Sequence, residues 1–265
     1  MRVAERISKL REKMEEHGID FYIVPTADFH QSEYVGEHFK ARAFITGFTG
    51  SAGTAIITTK EARLWTDGRY FVQAASQLKG STVELMKMGE PGVPKLLEYL
   101  EKEFPENGVL GFDGRVVSMG DGKAYKEIVD KKHGKIIYDY DLIDAIWEDR
   151  PALSTEPVFG LEEKYTGESV ESKFARIREE MKKAGTTEHV LTTLDDICWT
   201  LNIRGNDIDF FPLLLSYMVI TMDKADLYVD ENKFSAELRG KLEKDGVVFH
   251  PYNAIYEDIK SVNAE

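Results

Sequence analysis

Residues 7–28 read I-S-K-L-R-E-K-M-E-E-H-G-I-D-F-Y-I-V-P-T-A-D, and residues 174–195 read F-A-R-I-R-E-E-M-K-K-A-G-T-T-E-H-V-L-T-T-L-D. The second stretch repeats the first. Leu10, Met14, Gly18, Val24, Thr26 and Asp28 fall opposite Ile177, Met181, Gly185, Leu191, Thr193 and Asp195 at one constant offset. Ile7, Leu10 and Met14 form an apolar stripe at helical spacing, and Gly18 is the stop signal of that helix. After a small gap the match resumes. Ala55-Ile56-Ile57-Thr58 falls opposite Met218-Val219-Ile220-Thr221, and the run from Ala62 to Asp67 falls opposite Ala225 to Asp230. Leu96, Leu97 and Leu100 recur as Ile255, Tyr256 and Ile259. A repeat of this length is a whole domain rather than a solenoid unit, so one fold has been duplicated. The first copy continues well past Leu100, whereas the second stops at Glu265. The expectation is a second domain short of its last strand and helix, in a chain that is a piece of something longer.

The first copy reads as α/β. Phe21 to Val24 is a short buried strand stopped by Pro25, and Ala55–Thr58 with Arg63–Thr66 reads as a hairpin over Lys60-Glu61. Phe71 to Leu78 reads as helix and Val83 to Met88 as strand. Pro94 marks a helix start, with Leu96, Leu97, Leu100 and Phe104 as its buried stripe. A strand at Val109–Phe112, a helix around Tyr125–Val129 and a strand at Ile136–Tyr138 complete the copy. Strands alternating with helices imply a mixed sheet with helices packed against it. From Trp147 to Tyr165 the sequence has no periodicity and holds Pro151, Ser154, Thr155 and Pro157, the composition of a linker. Ser169 is placed to N-cap the helix that opens the second copy, with Glu171 in its first turn.

Composition excludes several classes of function. A length of 265 residues with 42% apolar and 31% charged residues suits globular domains with real cores. The net charge of −13 lacks the basic footprint that nucleic acid needs, and does not suit an anionic membrane surface. No stretch is long and apolar enough to span a bilayer, and Met1 to Gly18 is a charged amphipathic helix rather than a signal peptide. Cys198 is the one cysteine, so it has no internal disulfide partner, and its apolar surroundings point to a buried, inert thiol. The cytoplasm is the compartment these features favour.

Chemistry is harder to find. Gly47-Phe48-Thr49-Gly50-Ser51-Ala52-Gly53 suggests a phosphate loop, but it lacks the Lys-Ser/Thr pair and a strand follows it, so a tightly packed turn is the better reading. The six histidines are scattered without metal-ligand spacing. Asp195 and Asp196 are adjacent, so their side chains diverge and do not make a metal pair. No Ser, Cys or Thr sits in a nucleophile elbow. Three strand-end segments remain, where α/β folds place ligand contacts. They are His30-Gln31-Ser32-Glu33-Tyr34, Trp65-Thr66-Asp67-Gly68-Arg69-Tyr70-Phe71, and Leu201-Asn202-Ile203-Arg204-Gly205-Asn206-Asp207. Either arginine, Arg69 or Arg204, could instead satisfy a neighbouring carboxylate or carbonyl.

These segments, with the glycine-rich run through Ala55, Ile146-Trp147-Glu148-Asp149-Arg150-Pro151 and Leu194-Asp195-Asp196, resemble in content and order the first two domains of the long form of Xaa-Pro aminopeptidase, or aminopeptidase P. The resemblance spans nearly the whole chain. It implies an α/β fold of two tandem creatinase-like N-terminal domains, at 1–150 and 165–265, joined by a linker at 151–164, the second truncated at its C-terminal end. It implies a third, catalytic domain of pita-bread fold beyond this sequence, carrying two manganese ions and the catalytic histidines. Proline-containing peptides would be the partners, with the missing catalytic domain, and the full-length form would be a homodimer. The implied role of the present domains is to wall the substrate cleft and support dimerisation. Arg69 matches the position where the family places a peptide-binding arginine, and is the single site residue assigned. No catalytic residue and no metal ligand is assigned to this chain, which is expected to be inactive alone. The alternatives are a stand-alone peptide-binding module of the same fold, or the first part of a related prolidase or creatinase.

Overall fold

The computed structural model describes residues 1–262. The chain divides between Ala152 and Leu153 into two compact units.

Unit 1 contains α1 (Val3–Glu16), β1 (Phe21–Pro25), α2 (Ala41–Thr46), β2 (Thr54–Thr58), β3 (Ala62–Thr66), α3 (Phe71–Gln77), β4 (Glu84–Lys87), α4 (Leu96–Glu103), β5 (Val109–Gly111), α5 (Met119–Lys131) and β6 (Lys135–Ile137). The strands form one mixed sheet in the order β4-β3-β2-β1-β5-β6. The β1–β2 and β2–β3 pairs are antiparallel, and β3–β4, β1–β5 and β5–β6 are parallel. Both faces are buried, which explains why β1 reads as a continuous apolar run instead of alternating. Its side chains still alternate in space. Tyr22 and Val24 join Ile7, Leu10 and Met14 of α1 in one core, while Phe21 and Ile23 join Leu100 of α4, Phe104 just beyond that helix and Ile128 of α5 in the other. One expected core position is corrected. Leu97 is 41% exposed, and Tyr99 takes the buried place on α4.

Unit 2 contains β7 (Phe159–Gly160), α6 (Glu163–Thr166), α7 (Val170–Ala184), β8 (Glu188–Leu191), α8 (Leu194–Thr200), β9 (Ile203–Arg204), β10 (Tyr217–Thr221), β11 (Ala225–Val229), α9 (Ala236–Lys244), β12 (Val247–Pro251) and α10 (Ile255–Asp258). Its main sheet runs β12-β11-β10-β8, with β7 and β9 as a separate antiparallel pair. This is the β4-β3-β2-β1 half of unit 1 with the same pair directions. Among the described residues there is no counterpart of β5, α5 and β6, which is one strand more than the single strand and helix expected. Of the stretch 151–164 read as linker, only its first part lacks helix and strand. Phe159–Gly160 pairs with Ile203–Arg204, and Val158 is buried and donates to Lys233 O at 2.9 Å. A linker composition is compatible with these contacts because an extended segment is recruited by backbone hydrogen bonds, which leave little trace in periodicity.

Duplication extends to single hydrogen bonds. Arg11 Nε donates to Thr58 O at 2.8 Å in unit 1, and Arg178 Nε donates to Thr221 O at 2.9 Å in unit 2. In each case an arginine of the first helix caps the hairpin end, while the hairpin threonine accepts through Oγ1 from two turn amides. The predicted cap on α7 is present, with Ser169 Oγ accepting from Ser172 N at 3.2 Å.

Candidate functional site

Strand β3 ends at Thr66, which is buried and donates through Oγ1 to Ala52 O at 2.7 Å. A 3₁₀ turn, Gly68–Tyr70, follows. Asp67 is its cap and accepts from Arg69 N at 3.0 Å. The same carboxylate takes the guanidinium in a fork, Nε to Oδ1 and Nη2 to Oδ2, both at 2.9 Å. Arg69 thereby holds the Asp67 carboxyl below the ordinary carboxylate range, and Asp67 in turn pushes Arg69 further up. The Arg69 side chain is 67% exposed, and Asp67 takes only one edge of the guanidinium, leaving the Nη1 edge unused by this pair. Its guanidinium also sits 5.3 Å from the centre of the Tyr70 ring, a cation–π contact. Glu33, on the loop after β1, adds a negative charge to the field at Arg69.

The glycine-rich run packs beneath this turn. Tyr70 OH and Ser51 Oγ are 2.7 Å apart, and the Tyr70 ring meets the Phe48 ring edge-on at 5.8 Å. A Cβ at Gly50 would lie 2.2 Å from the Phe48 ring, and one at Gly53 would lie 2.9 Å from Trp65 O. Glycine is therefore needed here for close packing, not for a phosphate. Arg42 holds the run together from inside. It is 3% exposed and donates to Phe48 O, Gly50 O and, at 2.9 Å, to Thr26 Oγ1. Burial pushes this guanidinium down to about 10, which leaves it charged at neutral pH. No motif exposed Arg42 in the sequence; its signal is a lone arginine in the apolar run Ala41–Ile45.

His30-Gln31-Ser32-Glu33-Tyr34 forms the loop beyond β1. Asp28, fully buried, organises it by accepting from His30 N at 2.8 Å and Ser32 N at 2.9 Å through Oδ1. Gln31 has φ 58° and is anchored by its side-chain amide to Val116 O at 3.0 Å. The Arg69 turn and this loop thus both leave the carboxyl ends of unit 1 strands, where α/β sheets bind ligands.

The third segment does not join a site. Arg204 donates to Ile203 O at 2.7 Å and Cys198 O at 3.2 Å, so it satisfies local carbonyls. Asn202-Ile203-Arg204-Gly205 occupies in unit 2 the place of Gly47-Phe48-Thr49-Gly50, with Asn202 and Gly47 both at positive φ after the preceding helix. Cys198 is buried, and burial pushes its thiol up to about 11. Among the described residues no group of three or more His, Cys, Asp or Glu is placed to hold a metal ion, and no helix is long and apolar enough to cross a membrane.

Comparison with known proteins follows the same division. Residues 6–144 and residues 149–265 each match the creatinase/prolidase N-terminal domain. Aminopeptidase P2 of Arabidopsis thaliana is 40% identical over 267 residues, covering 99% of this chain and 38% of the relative. A probable Xaa-Pro aminopeptidase P of Laccaria bicolor is 41% identical over 261 residues, covering 98% and 40%. The crystal structure of an X-prolyl aminopeptidase from Caenorhabditis elegans, described as a cytosolic enzyme with a di-nuclear active site, superposes with a TM-score of 0.92 at 33% identity, covering 98% of this chain and 44% of that one. The chain therefore spans about two fifths of the length of these relatives. With both halves matched and the duplicated sheets observed, the chain belongs to the creatinase/prolidase N-terminal domain family, as two tandem copies.

Proposed function

We propose that this chain is the non-catalytic N-terminal part of a metal-dependent Xaa-Pro aminopeptidase, an enzyme that removes the residue preceding a proline at position two. The relatives' names support the activity, and their greater length supports a further peptidase domain. The described residues do not fit a di-nuclear centre, so the two metal ions, manganese in this reading, would be held by residues outside this sequence. We place the whole enzyme in the cytoplasm as a homodimer, acting on proline-containing peptides.

The observation that carries this chain's share of the work is the exposed guanidinium of Arg69, of which Asp67 occupies one edge and the Nη1 edge is left over. A peptide with proline in second position has no N–H at the bond to be cut. The peptide carbonyls and the C-terminal carboxylate remain as acceptors for recognition. Arg69 offers a planar, permanently charged set of donors, suited to a peptide carbonyl or a terminal carboxylate. Asp67 pre-orients those donors, which lowers the side-chain entropy lost on binding.

Full-length protein carrying Arg69→Ala tests this reading. A lost charge-assisted hydrogen bond costs about 1.5–3 kcal/mol, roughly tenfold to a hundredfold in kcat/KM on Xaa-Pro peptides. Unchanged KM and kcat across substrates of several lengths would make Arg69 structural. The 265-residue chain alone is expected to leave such peptides intact and to give no tight, saturable manganese isotherm.

A further inference from the structure

A cavity of about 400 Å³ opens at the same sheet end as the Arg69 turn. Trp65, Met88, Leu97 and Tyr125 supply apolar wall, and Asp67 and Asp121 are the only charged residues lining it. Met88 is 50% exposed and Leu97 41%, so two large apolar side chains face solvent inside one concavity. An apolar concavity with a few convergent polar groups is the usual form of a ligand pocket. The polar groups here have one sign. Asp121 lies in the first turn of α5, where the helix field favours a carboxylate, and it accepts from Ser118 Oγ at 2.7 Å. Asp67 is kept ionised by Arg69.

A long unbranched side chain with a cationic end matches both features. Its methylene stem covers the apolar wall while its head reaches carboxylate and water. A purely apolar side chain would partly desolvate Asp121 without giving it a partner, and an acidic one would be repelled. We propose that this cavity is a subsite for a lysyl or arginyl side chain of a peptide held at Arg69. The proposal rests on the reading of Arg69 as peptide-binding. Asp67 links the two, because the residue that orients Arg69 also lines the cavity.

The test is a titration of the 265-residue chain with the peptide Ala-Pro-Gly-Gly-Gly carrying lysine, norleucine or glutamate in turn at its third, fourth and fifth positions. Binding is followed by the Trp65 indole N–H resonance, a group fixed by its 2.9 Å bond to Pro94 O. Lysine at one position should bind about three- to fivefold tighter than norleucine, the scale of a partly exposed ion pair, with glutamate weakest. Asp121→Asn should abolish the lysine advantage and leave norleucine binding equal or slightly tighter. Norleucine binding as tightly as lysine, or an Asp121→Asn chain that keeps the preference, would overturn the subsite. The Arg69→Ala chain separates the two ideas. If it weakens every peptide but no lysine preference exists, the subsite alone fails. If the preference exists and Arg69→Ala weakens nothing, the subsite stands and the reading of Arg69 fails. No binding by any peptide counts against both.

Discussion

The turn after β3 and the turn after β11 are one motif put to opposite uses. Asp67 caps Gly68–Tyr70 and Asp230 caps Glu231–Lys233, each accepting from the amide two residues on. In unit 1 the residue after the glycine is Arg69, whose charge faces solvent. In unit 2 its counterpart is Asn232, which binds its own capping residue Asp230 in the same way, at 2.9 Å, but carries no charge. The next position inverts the comparison. Tyr70 is half-buried and reaches Ser51, whereas Lys233 is buried and meets both oxygens of buried Asp207 at 2.7 Å. Unit 1 keeps its charge at the surface, available to a ligand. Unit 2 spends its charge inside, tying the turn to the loop that follows β9. Duplicated scaffold and divergent charge placement are separable, and only the copy with an outward charge looks like a binding surface.

The largest expected effect breaks the unit 2 pair. Lys233→Ala leaves Asp207 as an uncompensated buried carboxylate and should destabilise unit 2 by about 3–5 kcal/mol in a denaturant titration. Replacing Lys233 and Asp207 together by methionine and leucine should restore only part of that loss, because Leu215 N also loses Asp207 Oδ2, its acceptor at 2.7 Å. A single variant that unfolds at the wild-type midpoint would show that the pair is not closed as described. Next is the packing under the unit 1 turn. Gly50→Ala drives a Cβ into the Phe48 ring and should cost about 1–3 kcal/mol, with Phe48→Leu in the same chain relieving part of it. An unchanged thermal midpoint for the single variant would refute close packing there. Arg69→Ala should move stability by no more than about 0.5 kcal/mol, since the ion pair it removes is exposed. A larger loss would place Arg69 in the fold rather than in a site.

The smallest effect is the proton linkage of Asp67. Its folded pKa lies below its unfolded value because Arg69 favours the charged form. The clamp is therefore fully present above the ordinary carboxylate range and is lost as pH falls through the depressed folded value. Carboxyl NMR should give Asp67 a midpoint below the ordinary aspartate range, moving upward in the Arg69→Ala chain. A midpoint that ignores the substitution would mean the fork is not populated in solution.

Much of the fold could be read directly. Helices α1 and α7 carry the same stripe and the same terminal glycine, and the hairpins β2–β3 and β10–β11 begin and end at matched residues. Such features are local, because periodicity, stop residues and turn chemistry act within a few residues of one another. The match of Gly47–Gly50 with Asn202–Gly205 escaped, because the chain between Gly205 and β10 is longer than between Gly50 and β2 and shifts the offset. Leu97 reads like Leu100, yet one is exposed and the other buried; a helical stripe is wide enough for either, and the neighbouring strands choose.

What the sequence by itself determined is the duplication, the α/β class and the capped helices, since each is written in residue type and spacing; Arg69 was singled out by the family resemblance. Tertiary structure alone decided where charge goes. Arg69, Arg204 and Lys233 are all cations at or near strand-end turns and Arg42 lies in α2, and residue type alone does not say which of them is enclosed. Arg42 is enclosed by three oxygens, Arg204 by two carbonyls and Lys233 by a carboxylate, while Arg69 meets only its own turn and Tyr70. The physical reason is that the cost of burying a charge depends on which acceptors the folded chain brings to it, and even acceptors a few residues away are aimed by the path of the fold rather than by residue type.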